Sequence, residues 1–215
     1  MNLFLQKKYF ATITLTACIA LYTYLFWLMI KISAQYIPIR SDVALLGIKQ
    51  DYVQLPHYLL AFFIHVFSAI FVLPAGYTQF SETIKNKHPQ WHRRLGWIYV
   101  AVTLLLAGPS GFIIGLYANG GLSSQIAFCL LAILWIAFTA MALYKIMKKR
   151  VREHQEWMIR SFSLALSALT LRGWKYILVF LFHPKPMDVY RVVAWLGWTL
   201  NLLIAEMVIL KRRQK

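Results

Sequence analysis

The sequence predicts an all-α integral membrane protein, a bundle of six transmembrane helices with both termini cytoplasmic. Three observations predict it. Of 215 residues, 60% are apolar and only 14% charged, where a soluble domain carries about 25% charged residues. Six apolar runs each reach the roughly 20 residues that a helix needs to cross the hydrocarbon core. The 23 Lys and Arg residues outnumber the 7 Asp and Glu residues, and they gather in short clusters between those runs. A soluble enzyme, a disordered chain and a disulfide-stapled domain are excluded. The runs are continuously apolar rather than alternating, so helices are expected and not barrel strands.

The first span, 10–31, follows Lys7 and Lys8. Its Leu15-Thr16-Ala17-Cys18 has the form of a lipoprotein signal. The chain stays apolar beyond Cys18, where a released lipoprotein continues with a polar linker, so an uncleaved helix is expected. The second span, 57–81, carries His65, Ser68, Val72, Gly76 and Gln79 at steps of three or four, one helical stripe, with His57 at its outer end. Pro74 is expected to kink it. The third, 93–117, has a stripe led by His92, with Gly96, Tyr99, Thr103 and Ser110, and a bend is expected at Gly108-Pro109. The fourth is 122–146. The fifth, 156–182, aligns His154, Ser161, Ala165, Ala168 and Arg172 on one face, and the sixth, 189–210, holds Glu206.

Orientation follows from the basic residues. Fifteen of them sit at the two termini, in loops 82–92 and 147–155, or at adjoining span ends. Five sit in loop 32–55, the turn after His183 and the ends beside them. The richer side is expected in the cytoplasm, and a bacterial inner membrane is the expected location. Lys and Arg placed between apolar spans read as topology signals, so no nucleic-acid partner is expected. The lipid bilayer is the expected surrounding. Cys18 and Cys129 both lie in apolar runs, and no zinc spacing is present. Phosphate-loop, dinucleotide, zinc-protease and nucleophile-elbow motifs are absent. No catalytic residue is assigned.

Ionisable groups inside spans are costly and need partners. Glu206 is the expected partner of Arg160. Arg172 has no acidic partner in sequence reach, and His65 is its candidate neighbour. His92 and His154 open neighbouring helices at one face and are expected to hold one haem b iron or a metal ion. Arg93 and Arg160 stand near to receive acidic groups. His65 and Arg172 are expected to line an outer polar pocket, suited to a quinone. Gln79 and Tyr99 complete the candidate binding set. Two other readings fit the same residues. One is a non-enzymatic membrane subunit or assembly factor, with these groups in structural hydrogen bonds. The other is a transporter of lipids or small molecules, which the shortage of carboxylates within the spans disfavours for ion-coupled transport.

His92-Arg93-Arg94-Leu95-Gly96-Trp97-Ile98-Tyr99 has the form HRxxGxxY, and His154 to Ser161 the form HxxWMIRS, followed by Leu169-Thr170-Leu171-Arg172. With Gln79-Phe80 these elements resemble a bacterial and fungal family of predicted membrane proteins catalogued as a domain of unknown function. The resemblance spans about 57–175. It implies a single membrane domain with a four-helix core, about 57–182, flanked by helices 10–31 and 189–210. It implies no activity or cofactor, and it marks His65, Gln79, His92, Arg93, Gly96, Tyr99, His154, Trp157, Arg160 and Arg172. The four-helix unit with histidines is also similar in architecture to membrane b-type cytochromes and ferric reductases.

Overall fold

The computed structural model describes residues 3–214, without the side chains of residues 3–8, 11 and 15. Lys215 and the Lys7 and Lys8 side chains, counted above with the cytoplasmic charges, lie outside what is described. Among the described residues all regular structure is helical. In chain order the helices are α1 (Leu3–Ala34), α2 (Ala44–Gly47), α3 (Gln50–Val53), α4 (Pro56–Thr78), α5 (Glu82–Lys87), α6 (Pro89–Val102), α7 (Gly108–Leu116), α8 (Leu122–Met147), α9 (Val151–Ala165), α10 (Ser167–Phe182) and α11 (Pro186–Arg213). A π-helical turn, Thr103–Ala107, joins α6 to α7. Within α1, in α4, α6–α7, α8 and α11, five helices are long and apolar enough to cross a membrane. The pair α9–α10, bent by 43°, makes a sixth if it is one span.

Local sequence sets the ends. Pro56, Pro89 and Pro186 open α4, α6 and α11, where the missing N–H is no loss and φ is already helical. Ser81 caps α5 by accepting from the Ile84 N–H at 3.3 Å. His183 takes a left-handed conformation that ends α10, and Pro184 follows. Gly120 and Gly121, both at positive φ, turn α7 back into α8.

The spans alternate in direction. The ends of α4, α8 and α11 and the starts of α6 and α9 gather at one end of the bundle, here the basic end. The starts of α4, α8 and α11 gather with α10 and the end of α7 at the far end. The segment between α1 and α4, expected as a loop, instead folds into a cap. Tyr36, Leu46, Tyr58 and Phe62 form its small core, and the Tyr36 hydroxyl accepts from the Leu45 N–H at 3.1 Å.

The fifth span, drawn as one run over 156–182, is broken at Leu166. Ser163 donates to the Arg160 carbonyl at 2.7 Å, the back-bonding that bends helices. Asn201 of α11 donates to the Ser163 carbonyl at 3.1 Å and to Thr170 Oγ1 at 2.9 Å. Thr170 in turn donates to the Gly197 carbonyl at 2.6 Å. The bend is therefore stitched to α11 by polar groups.

The centre of the bundle holds a closed hydrogen-bonded ring. Trp135 Nε1–H donates to the Tyr99 hydroxyl at 3.3 Å. Tyr99 and Ser161, then Ser161 and Thr139, are each 2.7 Å apart. Thr139 donates to the Trp135 carbonyl at 2.7 Å. An indole only donates and a carbonyl only accepts, so the direction of the ring is forced: Tyr99 donates to Ser161 and Ser161 to Thr139. Gly76 of α4 lies against it, since a Cβ there would stand 2.5 Å from the Phe162 ring and 2.9 Å from Tyr99.

Two outcomes follow for thermal unfolding in detergent. Tyr99→Phe is expected to cost about 1 kcal/mol, the scale of polar contacts between membrane helices; an unchanged melting temperature would remove the ring from the stability argument. Gly76→Ala is expected to cost about 1–3 kcal/mol through overpacking.

Candidate functional site: two cavities at opposite ends of the bundle

The basic-end cavity has a volume of about 610 Å³ and is lined by Gln79, His92, Arg93 and His154 among others. His154 sits in the first turn of α9, and Lys149 at positive φ folds that helix back against α8. Its Nδ1 lies 2.8 Å from the Ala142 carbonyl. That oxygen only accepts, so Nδ1 carries the proton and the neutral ring keeps its lone pair on Nε2. His92 lies in the first turn of α6. Its Nδ1 is buried and has no hydrogen-bond partner, and its ring interacts electrostatically with His154. His92 stands seven residues before Tyr99, and His154 seven before Ser161. Seven residues are two turns, about 10.5 Å, so both imidazoles lie about two turns toward the basic end from the Tyr99–Ser161 bond. Gly96 makes room for Gln79, whose Oε1 would be 3.0 Å from an added Cβ. Lys85, Arg93 and Arg212 supply positive charge, and Lys85 meets Glu82 at 3.6 Å.

The far-end cavity has a volume of about 470 Å³ and is lined by Lys49, His65, Arg172 and Lys175 among mostly apolar walls. His65 Nδ1 lies 2.8 Å from the Ala107 carbonyl, so it too keeps its lone pair on Nε2. The π turn prepares this contact. Pro109 has no N–H and crowds the carbonyl four residues earlier. The backbone relaxes by bonding the Gly108 N–H to the Thr103 carbonyl. Gly111 lies under the imidazole, with an added Cβ 3.0 Å from His65 Cε1. Lys49 of the cap is only 4% exposed. It donates to the Tyr117 carbonyl at the end of α7 and lies over the Tyr52 ring at 4.8 Å. Burial pushes its ammonium below the usual lysine range. Arg172 donates to the Ala168 carbonyl of its own helix.

The sequence pattern of one family matches residues 62–209, more than half of the chain. The chain belongs to the predicted membrane protein family DUF2306. No curated protein and no solved structure matches it. The DUF2306 match takes in most of α11, which the motif resemblance leaves out, and contains His65, Gln79, His92, Arg93, Tyr99, His154, Arg160 and Arg172. It leaves out Lys49 and Arg212, so each cavity has one cation outside the DUF2306 region.

Two residues grouped with the candidate site stand elsewhere. Tyr99 belongs to the buried ring. Arg160 lines neither cavity: it holds Glu206 through two bonds of 2.5 and 2.9 Å and lies over Trp157 at 4.7 Å. Sequence reasoning passed over Lys49, Lys85 and Arg212 as cavity residues. Lys85 and Arg212 sit in basic clusters that serve equally well as topology signals, and Lys49 lies in a segment read as a loop.

Glu206→Gln is expected to cost about 1.5–3 kcal/mol, as for a bond between charged groups. The double variant Arg160→Met/Glu206→Leu should lie closer to the wild type than either single change, because no charge is left alone. A double-mutant cycle in detergent measures this. Gly108→Ala places a Cβ 2.5 Å from the Thr103 carbonyl and is expected to lower the melting temperature by disturbing the π turn.

Proposed function

We propose that the chain is a cofactor-binding protein of a bacterial inner membrane, with its basic end in the cytoplasm and one haem b held between His92 and His154. The observation that carries this is the pairing in one cavity of two imidazoles, from α6 and α9, each with a ring nitrogen free of protein partners. Among the described residues no group of three His, Cys, Asp or Glu side chains is placed to hold a metal ion. A bare zinc ion needs at least three protein ligands. Two are enough where the iron arrives with four porphyrin nitrogens. This favours haem over a simple metal ion.

The residues present fit such a group. The Ala142 carbonyl orients His154 and leaves Nε2 as the atom that would hold the iron, the outer-shell arrangement usual for ligand histidines. The orphaned His92 Nδ1 offers a second nitrogen. Phe80, Trp97, Leu143 and Met158 give apolar wall, and Lys85, Arg93 and Arg212 match the charge of propionates. Haem, when bound, supplies one-electron transfer. The chain's own part is to hold the two imidazoles, to exclude water and to set the surrounding charge. The excess of Lys and Arg at this end supports its cytoplasmic placement.

The test is an absorption spectrum of protein purified from haem-replete cells, oxidised and then dithionite-reduced. A Soret band that shifts on reduction is expected, with its loss in His92→Ala and in His154→Ala while the helical circular dichroism is kept. Protein that is folded but has a flat spectrum and no stoichiometric haem overturns the reading.

A further inference from the structure

We infer that the far-end cavity is a binding site for an acidic amphiphile, a carboxylate or phosphate head on a hydrocarbon tail. This cavity shares no lining residue with the one that holds His92 and His154, and the inference stands apart from the haem reading.

The charge distribution carries it. Lys49, Arg172 and Lys175 all line the cavity, with His65 beside them, and no Asp or Glu lines it. Six of the seven acids of the chain are engaged elsewhere: Asp42 with Arg40, Glu82 with Lys85, Glu153 with Lys145, Glu156 with Arg213, Asp188 with Arg191 and Glu206 with Arg160. Asp51 lies exposed on α3, outside the cavity lining. A guanidinium has five N–H donors. Among the described residues those of Arg172 meet the Ala168 carbonyl and no carboxylate. A cation in a membrane helix is costly without a counter-charge. An acidic head supplies that charge, whereas the neutral head of a quinone does not.

The walls select the rest of the ligand. The lining runs from Lys49 in the cap to Trp135, halfway along α8, through Phe62, Val66, Leu131 and Leu164. A free inorganic anion would meet the cations and leave this apolar surface uncovered. A tail covers it, with the head beside Lys49 and Arg172. Leu45 and Lys49 of the cap form part of the wall around the cationic end.

The experiment measures ligand-dependent melting of the full chain in a neutral detergent. The probes are oleate, dioleoylphosphatidylglycerol, methyl oleate, dioleoylphosphatidylcholine and sodium phosphate. Oleate or the phosphatidylglycerol is expected to raise the melting temperature, and which one does so separates a free fatty acid from a phospholipid. Lys49→Gln/Arg172→Gln should weaken that ligand about tenfold or more, while Arg172→Lys keeps most of it. Equal stabilisation by methyl oleate or the phosphatidylcholine overturns the acidic head. Stabilisation by sodium phosphate alone overturns the tail. If the double variant does not fold, photo-crosslinking decides on wild-type protein, with a fatty acid bearing a tail diazirine. Label on Leu131, Trp135 or Leu164 is expected, and label confined to the exposed face of α1 overturns the site.

Discussion

Tyr99, Ser161 and Thr139 each pass one hydroxyl proton to the next in a ring that starts at the Trp135 indole and ends at the Trp135 carbonyl. Three helices, α6, α8 and α9, are tied at one height by groups that have no other use for their hydrogen bonds. In an apolar surrounding these groups have no water to turn to, so the register that satisfies all of them is strongly preferred. Everything toward the basic end inherits that register. The two histidines stand two turns before Tyr99 and Ser161 on helices that both start at the basic end, and they line one cavity there.

The ring also divides the molecule. Trp135 lines the far-end cavity, while Val100, next to Tyr99, and Met158, three residues before Ser161, line the other. Packing at this waist is tight: Gly76 brings α4 onto Tyr99 and Phe162, and Gly108 brings the π turn onto α8, where an added Cβ would stand 2.6 Å from the Ile136 side chain. The polar groups on either side are thereby kept in separate compartments.

Much of this was legible in the sequence, and the reason is periodicity. The apolar runs gave the helices and their alternation, because a span must be continuously apolar whatever it packs against. The stripes put His92 beside Tyr99 and His154 beside Ser161, because residues at steps of three and four share a face. Arg160 and Glu206 could be paired because few acids were on offer. What stayed hidden depends on partners distant in sequence. At the break at Leu166 the Asn201 side chain donates to the Ser163 carbonyl, and nothing local marks that pairing. The cap of residues 36–53 is built by Tyr36 and Leu46 meeting Tyr58 and Phe62, in a stretch whose composition reads as loop. The disturbance expected at Gly108-Pro109 lies just before it, because a proline ring crowds the turn on its N-terminal side.

His65 and His154 show how one local device can serve different chemistry. Each donates Nδ1–H to a backbone carbonyl, at 2.8 Å in both cases, and each is left with an unprotonated Nε2 in its neutral form. The difference lies in the neighbours. In the His154 cavity stands a second imidazole, His92, whose buried Nδ1 has no hydrogen-bond partner. The His65 cavity has Lys49, Arg172 and Lys175 in its lining and no carboxylate, whereas in the His154 cavity Glu82 stands among Lys85, Arg93 and Arg212. The fold therefore repeats an oriented histidine at both ends, in surroundings that differ in the second imidazole and in the acidic side chain of the lining.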